Sequence, residues 1–478
     1  MNKDLSELTI KEASRLLREN KIKSSGLVKA CYRKINEREK DINAFITIID
    51  EEVALRKAEA IDRKFEKGSK LSILAGIPFT IKDVYLTKGI KTTAGSKILG
   101  NYTAQYNATV YQKLIDLGAI LIGKTNCDPF GFGSSTENSA YGITKNPYNN
   151  LRVAGGSSGG SAAAVSYGAG LFSIAEDTGG SIRCPSAFCN VVGLKPTYGR
   201  VSRNGAIAYV SSFDTVGPIT RTVEDNAIVM SLIAGEDAKD ATSSNVKVDN
   251  YCKLLHKPNL YRIGVPDEYF TDQVDKEIKA RIFEKIEKLE KLGHKVIKIS
   301  LPNTEYAIAA YYVVALSEAG SNLAKFDGLR YGLQSEKKGW DKKVHDTRGR
   351  GFGQEEKRRI MIGTFSLSSG YQDKYYNKAQ LVRQLICEDF NSAFKKIDLI
   401  ITPVTPMLPF KIGENVVDPL KLWLVDAFTV TINPVGIPAI SVPVGFSRNG
   451  LPIGMQIVGS HFKEGDIYNL ANQLNLQS

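Results

Sequence analysis

The chain opens with a helical rhythm. Ile10, Ala13, Leu16 and Leu17 fall on one face of residues 9–20, and Thr9 with Glu12 supplies a capping box at the start. A second helix from about Leu27 carries Val28, Cys31 and Ile35, and is followed by a short apolar strand at 44–49 and a charged helix ending near Lys67. Residues 1–70 therefore read as a helical layer packed on whatever follows. From Leu74 the pattern changes to compact apolar runs set between helices. Residues 109–117 form a helix that Gly118 can close, followed by a strand at 119–123, and the same order returns at 274–292, Gly293 and 295–299. Further compact strands lie at 399–402 and 440–444. Strands that are apolar throughout and alternate with helices are covered on both faces. The expected fold is α/β, one large unit over 71–478 with a mixed central sheet between helical layers.

One stretch breaks the pattern. At 332–356, Lys337, Lys338, Lys342, Lys343, Arg348 and Arg350 sit among glycines and polar residues, which predicts a mobile basic loop, either solvated or facing RNA phosphates. The whole chain is basic, with 63 Lys and Arg against 51 Asp and Glu for a formal charge of +12, and such a field favours anionic partners without dictating a fold. At 42% hydrophobic and 24% charged, the composition is that of a globular protein. The cysteines, Cys31, Cys127, Cys184, Cys189, Cys252 and Cys387, are scattered rather than set in a disulfide or zinc pattern. Met1–Leu8 is polar and no apolar run reaches membrane-spanning length, which predicts a cytoplasmic protein without membrane contact; a matured organellar-matrix protein would show the same pattern.

Three segments carry candidate chemistry. Gly76–Asp83 ends an apolar run on Lys82; Gly155–Ser161 is Gly-Gly-Ser-Ser-Gly-Gly-Ser leading into a small-residue helix; Asp177–Arg183 is Asp-Thr-Gly-Gly-Ser-Ile-Arg. Glycine-rich backbone can approach a ligand closely and present consecutive N–H groups to an anion or oxyanion. Neither run ends in the Gly-Lys-Ser/Thr of a phosphate loop, and the glycine spacing is not that of a dinucleotide fingerprint. A reactive serine needs a proton acceptor, yet His256, His294, His345 and His461 all lie outside these segments. A desolvated lysine is an economical substitute, and Ile77, Phe79 and Ile81 give Lys82 an apolar setting.

Taken together, GGSSGGSAAAV, DTGGSIR, FCNVVGLKPTYGRVSR and the upstream GIPFTIKD resemble the amidase signature family, and the likeness runs from Leu8 to GLPIGMQIVG at 450–459. The resemblance implies a serine amidase in which Lys82 is the base, Ser157 a bridging serine in a cis peptide and Ser181 the nucleophile. It implies an oxyanion hole from the backbone of Thr178, Gly179, Gly180 and Ser181, with Ser158, Ser161 and Asp177 as supporting hydrogen-bonding groups. Residues 309–332, 355–383 and 425–446 are similar to the branch of the family that releases ammonia from glutamine for tRNA-dependent amidation. That likeness implies Arg359 for the substrate carboxylate, Asp426 for its amino group and Tyr312 nearby, with Arg358 and Tyr311 as adjacent alternatives. It further implies a hetero-oligomer with a transamidase and a small stabilising subunit. In such an assembly this chain holds no cofactor, ATP and magnesium bind to a partner, and tRNA is contacted mainly by a partner. A stand-alone amidase for a small carboxamide and a non-catalytic scaffold are the competing readings. Cys127-Asp128-Pro129, Glu176 and Cys184 depart from the family pattern. A Glu beside the nucleophile segment is expected to make Lys82 a poorer base unless it faces away.

Overall fold

The protein is described by a computed structural model over residues 4–414 and 419–475; of the polar start at Met1–Leu8, residues 1–3 lie outside the described residues. The first helix runs Ile10–Arg18. Its capping box closes as expected: the Glu12 N–H donates to Thr9 Oγ1 at 3.0 Å and the Thr9 N–H donates to the Glu12 carboxylate at 2.9 Å. The second and third helices, Ser24–Ile42 and Glu51–Glu66, bracket β1 (Phe45–Ile48). Val28, Cys31 and Ile35 are all buried, so the apolar face read from sequence is the one that packs.

The remaining strands are β2 (Pro78–Lys82), β3 (Ile120–Thr125), β4 (Lys145–Asn146), β5 (Asn149–Val153), β6 (Phe172–Asp177), β7 (Val192–Lys195), β8 (Thr215–Thr220), β9 (Arg262–Pro266), β10 (Lys295–Ile299), β11 (Leu399–Pro403), β12 (Ala439–Phe446) and β13 (Pro452–Gly459). β4 and β5 form a separate hairpin, and the others make one eleven-stranded sheet in the order β1-β3-β2-β6-β8-β7-β12-β13-β11-β9-β10. The sheet is mixed: β2 runs parallel to both β3 and β6, and β9 to both β10 and β11, whereas β6–β8 and β12–β13 are antiparallel. Every residue of β2, β3, β6, β8, β11 and β13 is buried, as covering by helices on both faces requires. At the edge, β10 turns Lys295 and Lys298 outward, a charged rim that discourages further strand pairing. Among the described residues no helix is long and apolar enough to cross a membrane.

Residues 332–356 are not a continuous loop. They contain the helix Trp340–Gly351, and a further helix, Gln354–Ser366, begins before the segment ends. Two features outweigh the glycines: an Asp346–Arg350 ion pair at i,i+4, 2.7 Å long, and burial of Thr347 and Gly351 on the inner face. A Cβ at Gly351 would stand 2.9 Å from the Ile98 side chain, so this glycine permits close helix packing where its residue type suggested a loop.

The topology that matters for chemistry is the pairing of β2 with β6. They are adjacent and parallel, in register through Phe79–Phe172, Thr80–Ser173 and Ile81–Ile174, with the two Phe rings stacked 5.3 Å apart. Both strands therefore finish on the same side of the sheet, at their C-terminal ends, one on Lys82 and the other on Asp177. The helix Gly159–Tyr167 lies between them in sequence and starts just after Ser158.

Candidate active site

Lys82 is fully buried, and its Nζ donates to Ser157 Oγ at 2.9 Å. The Gly156–Ser157 peptide is cis. Asp128 accounts for part of how that peptide is held: its N–H donates to the Ser157 carbonyl at 3.2 Å, and a Cβ at Gly156 would fall 2.3 Å from its carboxylate. The Pro129–Gly131 turn follows, and Gly131 borders Ser157, where an added Cβ would come 3.6 Å from Oγ. Within Cys127-Asp128-Pro129, Asp128, the residue shared with the family pattern, is the one that bonds to Ser157, and the two departures flank it.

The Ser158 N–H donates to the Ser181 carbonyl at 3.2 Å, joining the segment that carries Ser157 to the one that carries Ser181. Between Tyr167 and Cys189 every residue is buried except Ser181, which is half-buried. Ser158 Oγ also donates to the Glu176 carbonyl at 3.1 Å, and Ser161 Oγ pairs with Thr125 Oγ1 at 2.7 Å.

Asp177 organises the turn that presents Ser181. Its carboxylate accepts the N–H of Gly180 at 2.9 Å and of Ile182 at 3.1 Å, pairs with Arg183 at 2.9 and 3.0 Å, and accepts from Asn433 at 2.9 Å. Burial opposes its charge, but the Arg183 guanidinium outweighs it and holds the carboxyl well below the usual range. Gly180 adopts φ of +137°, and a Cβ there would stand 2.2 Å from Thr429 Oγ1, so conformation and space both require glycine. Thr429 Oγ1 in turn donates to the Gly179 carbonyl at 2.6 Å, and Thr178 Oγ1 to Asp214 at 2.6 Å.

A second cluster adjoins this turn. Of the two adjacent arginines, Arg359 turns inward and is 1% exposed, whereas Arg358 remains nearer solvent on Glu355. Arg359 donates to Glu355 at 2.6 Å, Tyr209 Oη at 3.0 Å and the Gly133 carbonyl at 3.1 Å, and lies between the Phe132 and Tyr312 rings. Tyr312 Oη donates to Asp426 at 3.1 Å, and the Ser134 hydroxyl donates to the same carboxylate. Burial pushes the Asp426 carboxyl up to about 7 against those two donors and Arg359. The tyrosines divide the work: Tyr312 meets Asp426, while the Tyr311 hydroxyl closes over Gly179, where a Cβ would lie 2.4 Å away. Tyr311, Thr429 and Asp214 all touch the 178–180 turn, and none was singled out from sequence for that contact.

Desolvation pushes the Cys184 thiol well above its ordinary value, so it does not supply a thiolate. His294 bonds to Tyr261 and Gln473, and His461 to the Val435 carbonyl, neither at the Lys82–Ser157 pair.

The structure thus joins the Lys82–Ser157 pair to the glycine turn that carries Ser181 through the Ser158–Ser181 backbone bond. The Amidase family model matches residues 26–467. The chain belongs to the amidase family. Within it, the chain is 50% identical over 471 residues to a glutamyl-tRNA(Gln) amidotransferase subunit from Koribacter versatilis, covering 98% of each. The crystal structure of a protein of the same name from Thermotoga maritima superposes with a TM-score of 0.83 at 40% identity, covering 100% of this chain and 96% of that one. A bacterial aryl acylamidase of the amidase family superposes with a TM-score of 0.85 at 26% identity, covering 98% and 96%. The shared amidase scaffold therefore accommodates different amides.

Proposed function

We infer that this protein is the glutaminase subunit of a glutamyl-tRNA(Gln) amidotransferase. The observation that carries the reading is the buried Lys82–Ser157 hydrogen bond tied to a half-buried Ser181, in a chain that matches the named subunits over nearly its full length.

In this reading the neutral Lys82 amine accepts the Ser157 proton while Ser157 accepts that of Ser181, whose oxygen attacks the carboxamide carbon of glutamine. Because the Gly180 N–H is already engaged by Asp177, the neighbouring amides of the 178–181 turn are the donors left for the developing oxyanion. The proton returns through Ser157 to the departing ammonia, and water then releases glutamate from the acyl-enzyme. Arg359 keeps part of its donor fork for the α-carboxylate after its three protein contacts, and Asp426 pairs with the α-ammonium. ATP and magnesium belong to a transamidase partner, a small subunit stabilises the assembly, and tRNA is met mainly by the partner. The helices before residue 70 act as a layer on the catalytic core.

Ammonia release from glutamine tests this, using protein purified with its native partners. Ser181→Ala should abolish the acyl adduct seen by mass spectrometry, and Lys82→Ala should slow turnover by about 10²–10⁴-fold. An adduct that persists in Ser181→Ala refutes the nucleophile. A chain that purifies alone and turns over simple amides but not glutamine refutes the substrate.

A further inference from the structure

Lys82 has a second close neighbour that the relay does not use. Glu176, the penultimate residue of β6, is buried, and its Oε2 lies 3.6 Å from Lys82 Nζ. Among the described residues, neither of its carboxylate oxygens has a hydrogen-bond partner. Buried carboxylates normally collect donors, as Asp177 does one residue later. Asp214, the other acid of this cluster, is satisfied by the Thr178 hydroxyl at 2.6 Å and by the N–H groups of Tyr209 and Val210 at 2.9 and 3.0 Å. Hydrogen bonds favour the charged form, so of the two acids Glu176 is the one built to hold a proton.

Other groups bear on Glu176 as well. Arg203 is cationic and bridges toward Asp240 at 3.8 Å; Tyr85 donates its hydroxyl to the Ala175 carbonyl at 2.8 Å, and burial keeps it and the Cys127 thiol neutral. Glu176 also lines a cavity of about 230 Å³ together with Asp214, Arg203, Lys239 and Asp240, whereas Lys82 does not.

We propose that Glu176 is a positioning residue that sets the protonation of Lys82, exchanging a proton between the amine and this cavity. The proposal rests on the Lys82–Ser157–Ser181 reading above. In the exchange an N–H bond of the ammonium breaks and an O–H bond forms on Glu176, leaving a neutral amine beside a neutral acid; loss of that proton to the cavity leaves a carboxylate beside the amine. The first form frees Lys82 to act as a base. The second also stabilises the positive charge that Lys82 acquires when it accepts the Ser157 proton. Burial, and next the charge of Asp214, push the Glu176 carboxyl up to about 8 against the pull of Lys82, which places loss of the Glu176 proton in an accessible pH range.

The test is kcat/KM for glutamine from pH 6 to 9.5, using protein purified with its native partners. Wild type should step up about three- to ten-fold through pH 8, the size expected of one nearby charge acting on a general base. Glu176→Gln has the same shape but no proton to lose, and should lack the step. Glu176→Asp should restore it with a displaced midpoint, a change that a merely structural role would not produce. The proposal is overturned if Glu176→Gln keeps the step or, should that variant fail to fold, if Glu176→Asp titrates like wild type. Lys82→Ala run in parallel separates the two readings: turnover that survives it removes the relay, whereas a lost relay with an unmoved Glu176 profile removes only this inference.

Discussion

Replacing Asp177 with Asn tests how the serine turn is held. The substitution keeps size and one carbonyl oxygen but removes the charge that faces Arg183, a side chain with no solvent exposure. Arg183 would retain Gln456 at 2.7 Å, Asn433 at 2.6 Å and the Thr429 carbonyl at 3.2 Å, all neutral. Breaking a buried pair while leaving one charge behind costs about 3–5 kcal/mol. The same carboxylate fixes the N–H groups on both sides of Ser181, so a loosened turn should also lower kcat by about 10²-fold, the penalty for roughly 1 Å of misplacement. The pH dependence follows from the depressed carboxyl: its contribution is fully present above the ordinary value of 3.8 and is lost only as pH falls toward the lower folded value. The gap between wild type and Asp177→Asn should therefore stay constant between pH 5 and 8. Urea unfolding followed by tryptophan fluorescence, with kcat measured on the same preparations, reads both effects. A variant within about 1 kcal/mol of wild type and with kcat within about three-fold would refute the account.

Two further outcomes concern substrate binding. Asp426 must be ionised to pair with an ammonium, and its carboxyl sits at about 7, so KM for glutamine should rise about ten-fold for each pH unit below that value; a wild-type KM flat from pH 5.5 to 8 would contradict the pairing. Arg359→Lys should raise KM by about ten-fold or more, because a lysine cannot reproduce the fork that reaches Glu355, Tyr209 and Gly133. Arg358→Ala, which removes only a partly exposed ion pair, should change binding by no more than about 1 kcal/mol, and equal effects of the two substitutions would overturn the assignment of Arg359 as the inward residue.

The sheet and the three segments that carry Lys82, Ser157 and Ser181 stood out for the same reason, a local pattern, while the roles of those residues came from the family resemblance. Apolar runs between glycine-closed helices announce covered strands, and Lys82, Ser157 and Ser181 each sit in a short segment whose composition is unusual by itself. Long-range closure was not legible. Tyr311 and Thr429 reach the serine turn from more than a hundred residues away, and nothing in their own segments marks those contacts. The Glu355–Arg359 pair did leave a signal, an acid four residues before an arginine, but Glu355 reaches Arg358 at i,i+3 as well, so the spacing does not separate the inward arginine from its neighbour. At 332–356 the glycines and lysines suggested a loop because sequence does not say that Gly351 must fit against Ile98. Glu176 was recognised as a departure, but its facing toward Lys82 rather than away is a fact of strand geometry.

The pairing of β2 with β6 sets Lys82 and the Ser181 turn one strand spacing apart on a common side of the sheet, while Arg359 comes from a helix and Asp426 from a turn outside it. In the proposed reading, bond breaking is thus assigned to residues at the ends of paired central strands and molecular choice to buried side chains from outside the sheet. On that reading a lineage can trade one amide for another by rebuilding the helix and the turn, with Ser181 left as it was.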